Sequence, residues 1–139
     1  MRCKVSNHFQ IGLTLIEILI ALVILGVVSA VAYPTYTQQT REAYRMIALG
    51  DMLEMQLELE RHYNAGYNFE HILSGGKCVV CESDTTRYQF TVTSSATAAY
   101  TITAIAQPFS NQSKDNCLDS DRKMSLNSKG VTTPNACWK

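Results

Sequence analysis

The chain has 139 residues, enough for one domain and too few for several. Lys plus Arg and Asp plus Glu number 12 each, so this is not a chain that relies on net basic charge to reach nucleic acid. No G-x-S-x-G, P-loop, H-E-x-x-H or dinucleotide fingerprint is present, and the sequence reads as a non-enzyme without a cofactor.

Met1–Gly12 carries Arg2 and Lys4 and has the character of a positively charged leader that stays cytoplasmic. From Leu13 to Tyr33 run 21 residues, of which only Thr14, Glu17 and Ser29 are polar. At about 1.5 Å per residue a helix of this length reaches roughly 30 Å, the thickness of a bilayer core. No other segment could span a membrane. Glu17 is the single charge in the run and stands near its start. A carboxylate at a bilayer centre costs about 2.5–3.5 kcal/mol on insertion scales, so Glu17 either snorkels to the interface or has a function.

Gly26 weakens the helix by about 0.8–1 kcal/mol relative to Ala. Pro34 should kink it, because proline lacks an N–H and crowds the preceding turn. The helical pattern then continues. Ala43, Met46, Ile47, Gly50, Leu53 and Leu57 recur at helical spacing and predict the apolar face that covers the rest of the domain. Asp51, Glu54, Glu58, Arg61 and His62 fall largely on the other side, where Glu58 and His62, four apart, can pair. The predicted helix runs from about Leu13 to Tyr63, near 75 Å by the same rise. Met46, Met52 and Met55 read as core filler. Asn64 and Gly66 are C-terminal breakers. Residues 64–86 read as a loop, flexible at Ser74-Gly75-Gly76, in which His71 has no visible partner. His8, His62 and His71 show no metal spacing.

Residues 87–93 and 100–106 alternate and are rich in β-branched and aromatic side chains, which predicts two strands joined by a turn over Ser94–Ala98. Pro108 ends the second. Asn111–Asp121 is polar loop, Lys123–Leu126 a short third strand, and Asn127–Gly130 a turn. Tyr88, Phe90 and Val92 form one face, with Ile102 and Ala104 as partners. A sheet must bury one face, and the only long apolar cover is the helix around Met46 to Leu57. The fold class is α+β: a long N-terminal helix, membrane-spanning in its first half, packed on a small antiparallel sheet.

The stretch Gly12-Leu13-Thr14-Leu15-Ile16-Glu17 resembles the N-terminus of the type IV prepilin family, which typically reads Gly-Phe-Thr-Leu-Ile-Glu. Thr14, Leu15, Ile16 and Glu17 match as written, and Gly12 matches the residue before the family's cleavage point. Gly26 and Pro34 fall where pilins commonly carry a helix glycine and a helix proline. Leu13 replaces the commonest Phe, and Ile11 stands where a polar or basic residue is more usual. The resemblance implies that a prepilin peptidase cuts between Gly12 and Leu13 and methylates the new amine. It implies a cleaved leader (1–12), a transmembrane and later filament-core helix (13–34), and a helix continuation with a periplasmic, then extracellular, globular domain (35–139). The implied partners are other pilin subunits through the N-terminal helix and an inner-membrane assembly platform. Glu17 would meet the N-terminal amine of an adjacent subunit and fix its axial register.

Cys3 lies in the leader, which leaves Cys78, Cys81, Cys117 and Cys137 for the mature chain. Four cysteines permit three connectivities. The pair Cys78-x-x-Cys81 lacks the βαβ context of a redox motif, and Cys117 and Cys137 are too far apart in sequence for the second close pair of a usual zinc site. The C-terminal layout resembles the disulfide-bounded region of pilins, the small minor pilins in particular. This favours Cys117–Cys137 with Cys78–Cys81 beside it; crossed pairings stay open.

The expected function is that of a type IV pilus subunit, a minor pilin, acting in pilus biogenesis, adhesion to a host surface, motility or DNA uptake. A DNA-receptor minor pilin is an alternative. Lys77, Arg87, Lys114, Arg122, Lys123 and Lys129 are its basic candidates, Asn127 and Trp138 its candidates for base contact, and Asp115, Asp119 and Asp121 offset the positive charge. Two further alternatives are a type II secretion pseudopilin, which often uses calcium in place of the C-terminal disulfide, and an ordinary single-span membrane protein with a periplasmic domain.

Overall fold

A computed structural model describes residues 12–95 and 99–139. The leader before Gly12, with Arg2, Cys3, Lys4 and His8, lies outside the described residues, as does the middle of the turn expected over Ser94–Ala98. The chain divides into two compact units, one ending at Thr37 and the other spanning Gln38–Lys139.

Helix α1, Leu15–Arg61, begins in the first unit and ends in the second. At its start the Glu17 N–H donates to the Thr14 hydroxyl at 3.3 Å, a side-chain cap for a turn whose amides have no helical partner. Leu15, Ile16, Ile18, Leu19, Ile20, Leu22, Val23, Ile24 and Leu25 are all exposed. This stretch passes the length and composition test for a membrane span and buries none of its apolar window within the chain. Pro34 lies inside α1 without ending it. The hydroxyls of Thr35 and Thr37 donate to the carbonyls of Val31 and Pro34 at 3.2 and 2.9 Å.

The second unit carries the sheet. Strands β3 (Tyr88–Ser95), β4 (Ala99–Ala106), β5 (Lys123–Asn127) and β6 (Thr132–Thr133) form an antiparallel meander in the order β3-β4-β5-β6. A separate two-residue hairpin, β1 (Leu73–Ser74) with β2 (Lys77–Cys78), lies in the segment that reads from sequence as loop. Gly75 and Gly76 turn it, both with positive φ, at 59° and 78°, which glycine adopts without steric cost. Two short 3-10 turns, Gln112–Lys114 and Asn135–Trp138, complete the unit. β6, the hairpin and the last turn are too short to leave a periodic signal in sequence.

The register builds one buried face. Phe90 pairs with Ala104 and Ala104 with Met124; Val92 pairs with Ile102 and Ile102 with Leu126; Tyr88 pairs with Ala106. All eight are buried, as is Tyr100. Against them pack Ala48, Met52, Met55 and Leu59, spaced by four, three and four.

This is not the helix face that the sequence pattern selects. Met46, Ile47, Leu53 and Leu57 are exposed, and Met52 and Met55 are fully buried. At about 100° per residue the two stripes lie on roughly opposite sides of α1. The helix is apolar twice over, and periodicity finds a stripe without saying what touches it. Asp51, expected in solvent, is buried, and its two carboxylate oxygens accept the N–H groups of Glu82 and Ser83 at 2.9 Å each. A charge read as surface is an anchor for the segment after Cys81.

Candidate nucleic-acid interface

The connection from β4 to β5 is held at many points and still presents several free side chains. Gln107 N–H donates to the Arg87 carbonyl at 2.8 Å, and the Ser110 hydroxyl to the Thr86 carbonyl at 2.9 Å. Gln112 is buried; its Nε2 donates to the Arg41 carbonyl at 2.9 Å and to the Tyr88 hydroxyl at 3.1 Å. Arg45 Nη1 pairs with Asp115 Oδ1 at 2.6 Å, and Asn116 Nδ2 donates to Gln38 Oε1 at 2.9 Å. The disulfide Cys117–Cys137 ties the same connection to the C-terminal turn. A second disulfide joins Cys78 to Cys81 beside the hairpin. Polar side chains of α1 thus fasten a loop that has little apolar content of its own.

On this framework Lys114, Arg122 and Lys123 are exposed, with Asp119 and Asp121 among them. Phe109 is 89% exposed, an aromatic ring with no place in the core. Arg122 has a φ of 54°, a left-handed conformation uncommon for any residue but glycine. Strain of that kind gathers at functional sites.

The other basic candidates sit elsewhere. Lys129 is exposed in the β5–β6 turn, at the opposite end of β5 and about 14 Å of strand away from Lys123. Lys77 is exposed on the β1–β2 hairpin. Arg87 is turned inward: its guanidinium lies 3.7 Å from the Tyr44 ring centroid and donates to Gln112 Oε1 at 3.3 Å. The two candidates for base contact are engaged as well. Asn127 Oδ1 accepts the N–H groups of Lys129 and Val131, closing its turn, and Trp138 packs against the core. Phe109, absent from the sequence reading, is the exposed aromatic of this connection. Its one sequence signal is an apolar ring in a polar, proline-led loop.

Asp115 also changes its meaning. Its side chain is buried and paired with Arg45, so its charge is matched internally and subtracts little from the surface field.

The tyrosines show how closely the helix and sheet pack. Burial pushes the Tyr88 hydroxyl up to about 12, and burial followed by the hydrogen bond to Glu60 raises Tyr100 as well. Tyr100 donates to Glu60 Oε1 at 2.7 Å. Asp84 is held below the usual carboxylate range, chiefly by the N–H of Thr86 at 2.8 Å.

One group that sequence spacing hides lies at the end of α1. Glu58, His62 and His71 bring three possible metal-ligating atoms within 4.8 Å of one another. His71, which has no partner legible in sequence, has its ring centroid 4.4 Å from that of His62.

Residues 34–120 match the profile of the family described as type IV minor pilin ComP, DNA uptake sequence receptor, and residues 8–33 match the prokaryotic N-terminal methylation motif. The chain belongs to the ComP minor pilin family. No curated protein matches it. Membership sets aside the pseudopilin and the ordinary single-span protein. ComP-type minor pilins are structural and adhesive proteins, and this chain is not an enzyme. The methylation motif, residues 8–33, includes the apolar first part of α1, which with pilin membership supports a route from the inner membrane to the pilus. Membership likewise implies processing by a peptidase and assembly with other pilins.

Proposed function

We infer that this minor pilin is a receptor for DNA on the pilus, with the β4–β5 connection as its contact surface. The observation that carries the reading is the family match, whose description names a DNA uptake sequence receptor. It favours the DNA-receptor alternative over a subunit serving adhesion or motility alone. The pairing of Asp115 with Arg45 supports it, because the exposed balance on the connection is then Lys114, Arg122 and Lys123 against Asp119 and Asp121. The basic groups meet phosphates, which gives affinity without sequence preference. Phe109 supplies an apolar face for a base or a base step. Lys77 and Lys129 extend the phosphate contacts to the hairpin and the β5–β6 turn; Arg87 contributes to the framework and not to the DNA.

Delivery to the surface follows from the first unit. A prepilin peptidase cuts between Gly12 and Leu13 and methylates Leu13, and an inner-membrane platform passes the subunit into the filament. The apolar helix exchanges lipid for neighbouring helices, so packing supplies most of the stabilisation. Glu17 pairs with the N-terminal amine of the next subunit. The exposed stripe of Met46, Ile47, Leu53 and Leu57 continues that contact beyond the membrane segment.

The test is a titration of the full-length protein in detergent with duplex DNA at several salt concentrations. Log affinity should fall against log salt with a slope near 0.9 per neutralised phosphate. Changing Lys114, Arg122 and Lys123 together to Ala should flatten that slope by about 2–3. Phe109→Ala should weaken binding and leave the slope unchanged. Absence of binding at low salt, or a triple variant that binds like the parent, would remove the DNA-receptor reading.

A further inference from the structure

At the end of α1 three side chains meet that neither the core nor the basic surface uses. Glu58 lies in the last turn of α1 and His62 directly follows its end, with the His62 N–H still donating to the Glu58 carbonyl at 3.1 Å, so the two share a face. His71 arrives from the turn that follows. We propose that Glu58, His62 and His71 bind one divalent transition-metal ion of the zinc class.

The donor set selects the class of ion. Two imidazoles and one carboxylate suit zinc, copper or nickel; calcium and magnesium prefer oxygen alone. The three protein ligands leave a fourth position for water, as in open zinc sites.

The placement of each ligand is built into the fold. Ile72 is fully buried, which pins the residue beside His71. The Ile72 and Leu73 N–H groups donate to the Phe69 carbonyl at 3.1 and 2.9 Å, and the Val79 N–H to the Ile72 carbonyl at 2.9 Å. His71 therefore sits on a closed turn and not on a loose loop. His62 Nδ1 lies 3.1 Å from the Glu58 carbonyl oxygen and 3.4 Å from Glu58 Oε2. Arg61 Nη1 holds the other carboxylate oxygen, Oε1, at 2.9 Å, which leaves Oε2 turned toward the histidine. A partner of this kind orients a ligating carboxylate. The last turn of α1 adds the negative end of the helix dipole, which favours a cation.

Around a tetrahedral ion with bonds of about 2.0–2.1 Å, ligand atoms stand about 3.3 Å apart. The present set lies within 4.8 Å and must close by up to about 1.5 Å. Both rings are exposed, so rotation about their side-chain bonds suffices. The bound ion would clip the Phe69–Leu73 turn to the end of α1. The site shares no residue with the β4–β5 connection, so its test is independent of DNA binding.

The experiment uses tag-free full-length protein in detergent, carrying Cys3→Ser and His8→Ala so that the leader offers no thiol or imidazole. Zinc ion alone is titrated by calorimetry, and cobalt ion is followed by its visible absorption, which reports ligand number and type. The expected result is one ion per chain, with His62→Gln and His71→Gln each weakening binding by about tenfold or more. Zinc should also raise the melting midpoint of the parent and leave that of His71→Gln unchanged. No saturable binding to the parent would overturn the proposal. So would His62→Gln and His71→Gln variants that bind as the parent does.

Discussion

Arg45 Nη1 and Asp115 Oδ1 lie 2.6 Å apart, joining α1 to a carboxylate 70 residues further along the chain. The side chains are 12% and 2% exposed, so the pair is a buried contact and not a surface ion pair. Arg45 Nη1 also lies 3.1 Å from Cys117 Sγ, which places the guanidinium beside the C-terminal disulfide. One ion pair thus links the helix, the β4–β5 connection and the cysteine bridge.

Asp115→Ala should destabilise the second unit by about 3–5 kcal/mol, because it leaves a buried guanidinium without its counter-charge. The double change Arg45→Met with Asp115→Leu should recover most of that loss. Asp115 Oδ2 and Arg45 Nε have no hydrogen-bond partner among the described residues, so the ion pair is incompletely compensated. Urea denaturation of the parent and the two variants decides it. A single variant as stable as the parent would show that the pair contributes nothing.

Met52 and Leu53 are adjacent in sequence and opposite in fate, fully buried and 53% exposed. Met52→Ala should cost about 2–5 kcal/mol. Leu53→Ser should change stability by no more than about 0.5 kcal/mol. Its effect should appear in assembly, as reduced recovery in sheared filaments. Equal loss of stability in both variants would refute the assignment of the two faces.

Alkali should unfold the protein through its buried tyrosines. Tyr88 is raised by burial from an ordinary value of 10.0 to about 12, so the folded state holds a proton that the unfolded chain releases earlier. The stabilisation is fully present below pH 10.0 and is lost as pH rises through about 12. Tyr100 shifts in the same direction. Denaturation midpoints measured across that window should fall, and the fall should be shallower in Tyr88→Phe. The part of the tyrosinate absorbance that Tyr88→Phe removes should appear together with unfolding; its appearance in the fully folded protein would contradict the shift.

Filament subunits should begin at Leu13 with a methylated amine, which mass spectrometry of sheared filaments reads directly. Glu17→Ala removes a charge from an apolar helix and should leave membrane insertion intact. It should lower the amount of subunit incorporated. Incorporation at the parent level would dismiss the register role of Glu17.

The class of this protein and the outline of its fold are legible in its residues alone. The run from Leu13 to Tyr33 is too long and apolar for a small soluble domain, and Glu17 at its start falls within the N-terminal methylation motif. The alternation of Tyr88, Phe90 and Val92 against Ile102 and Ala104 specified both long strands and their inward face, because period two survives wherever one face is buried.

Tertiary structure decided which face of α1 meets the sheet. Two apolar stripes are equally legible, and only the pairing of Met52 and Met55 with the strands tells one from the other. It decided that Asp51, Arg45, Asp115 and Arg87 are internal, since a charge in sequence carries no mark of burial. It also separated Lys114, Arg122 and Lys123 from Lys77 and Lys129, left Phe109 uncovered, and set His71 against His62 and Glu58. Each of these depends on contacts between residues distant in the chain, and local spacing holds no record of such contacts.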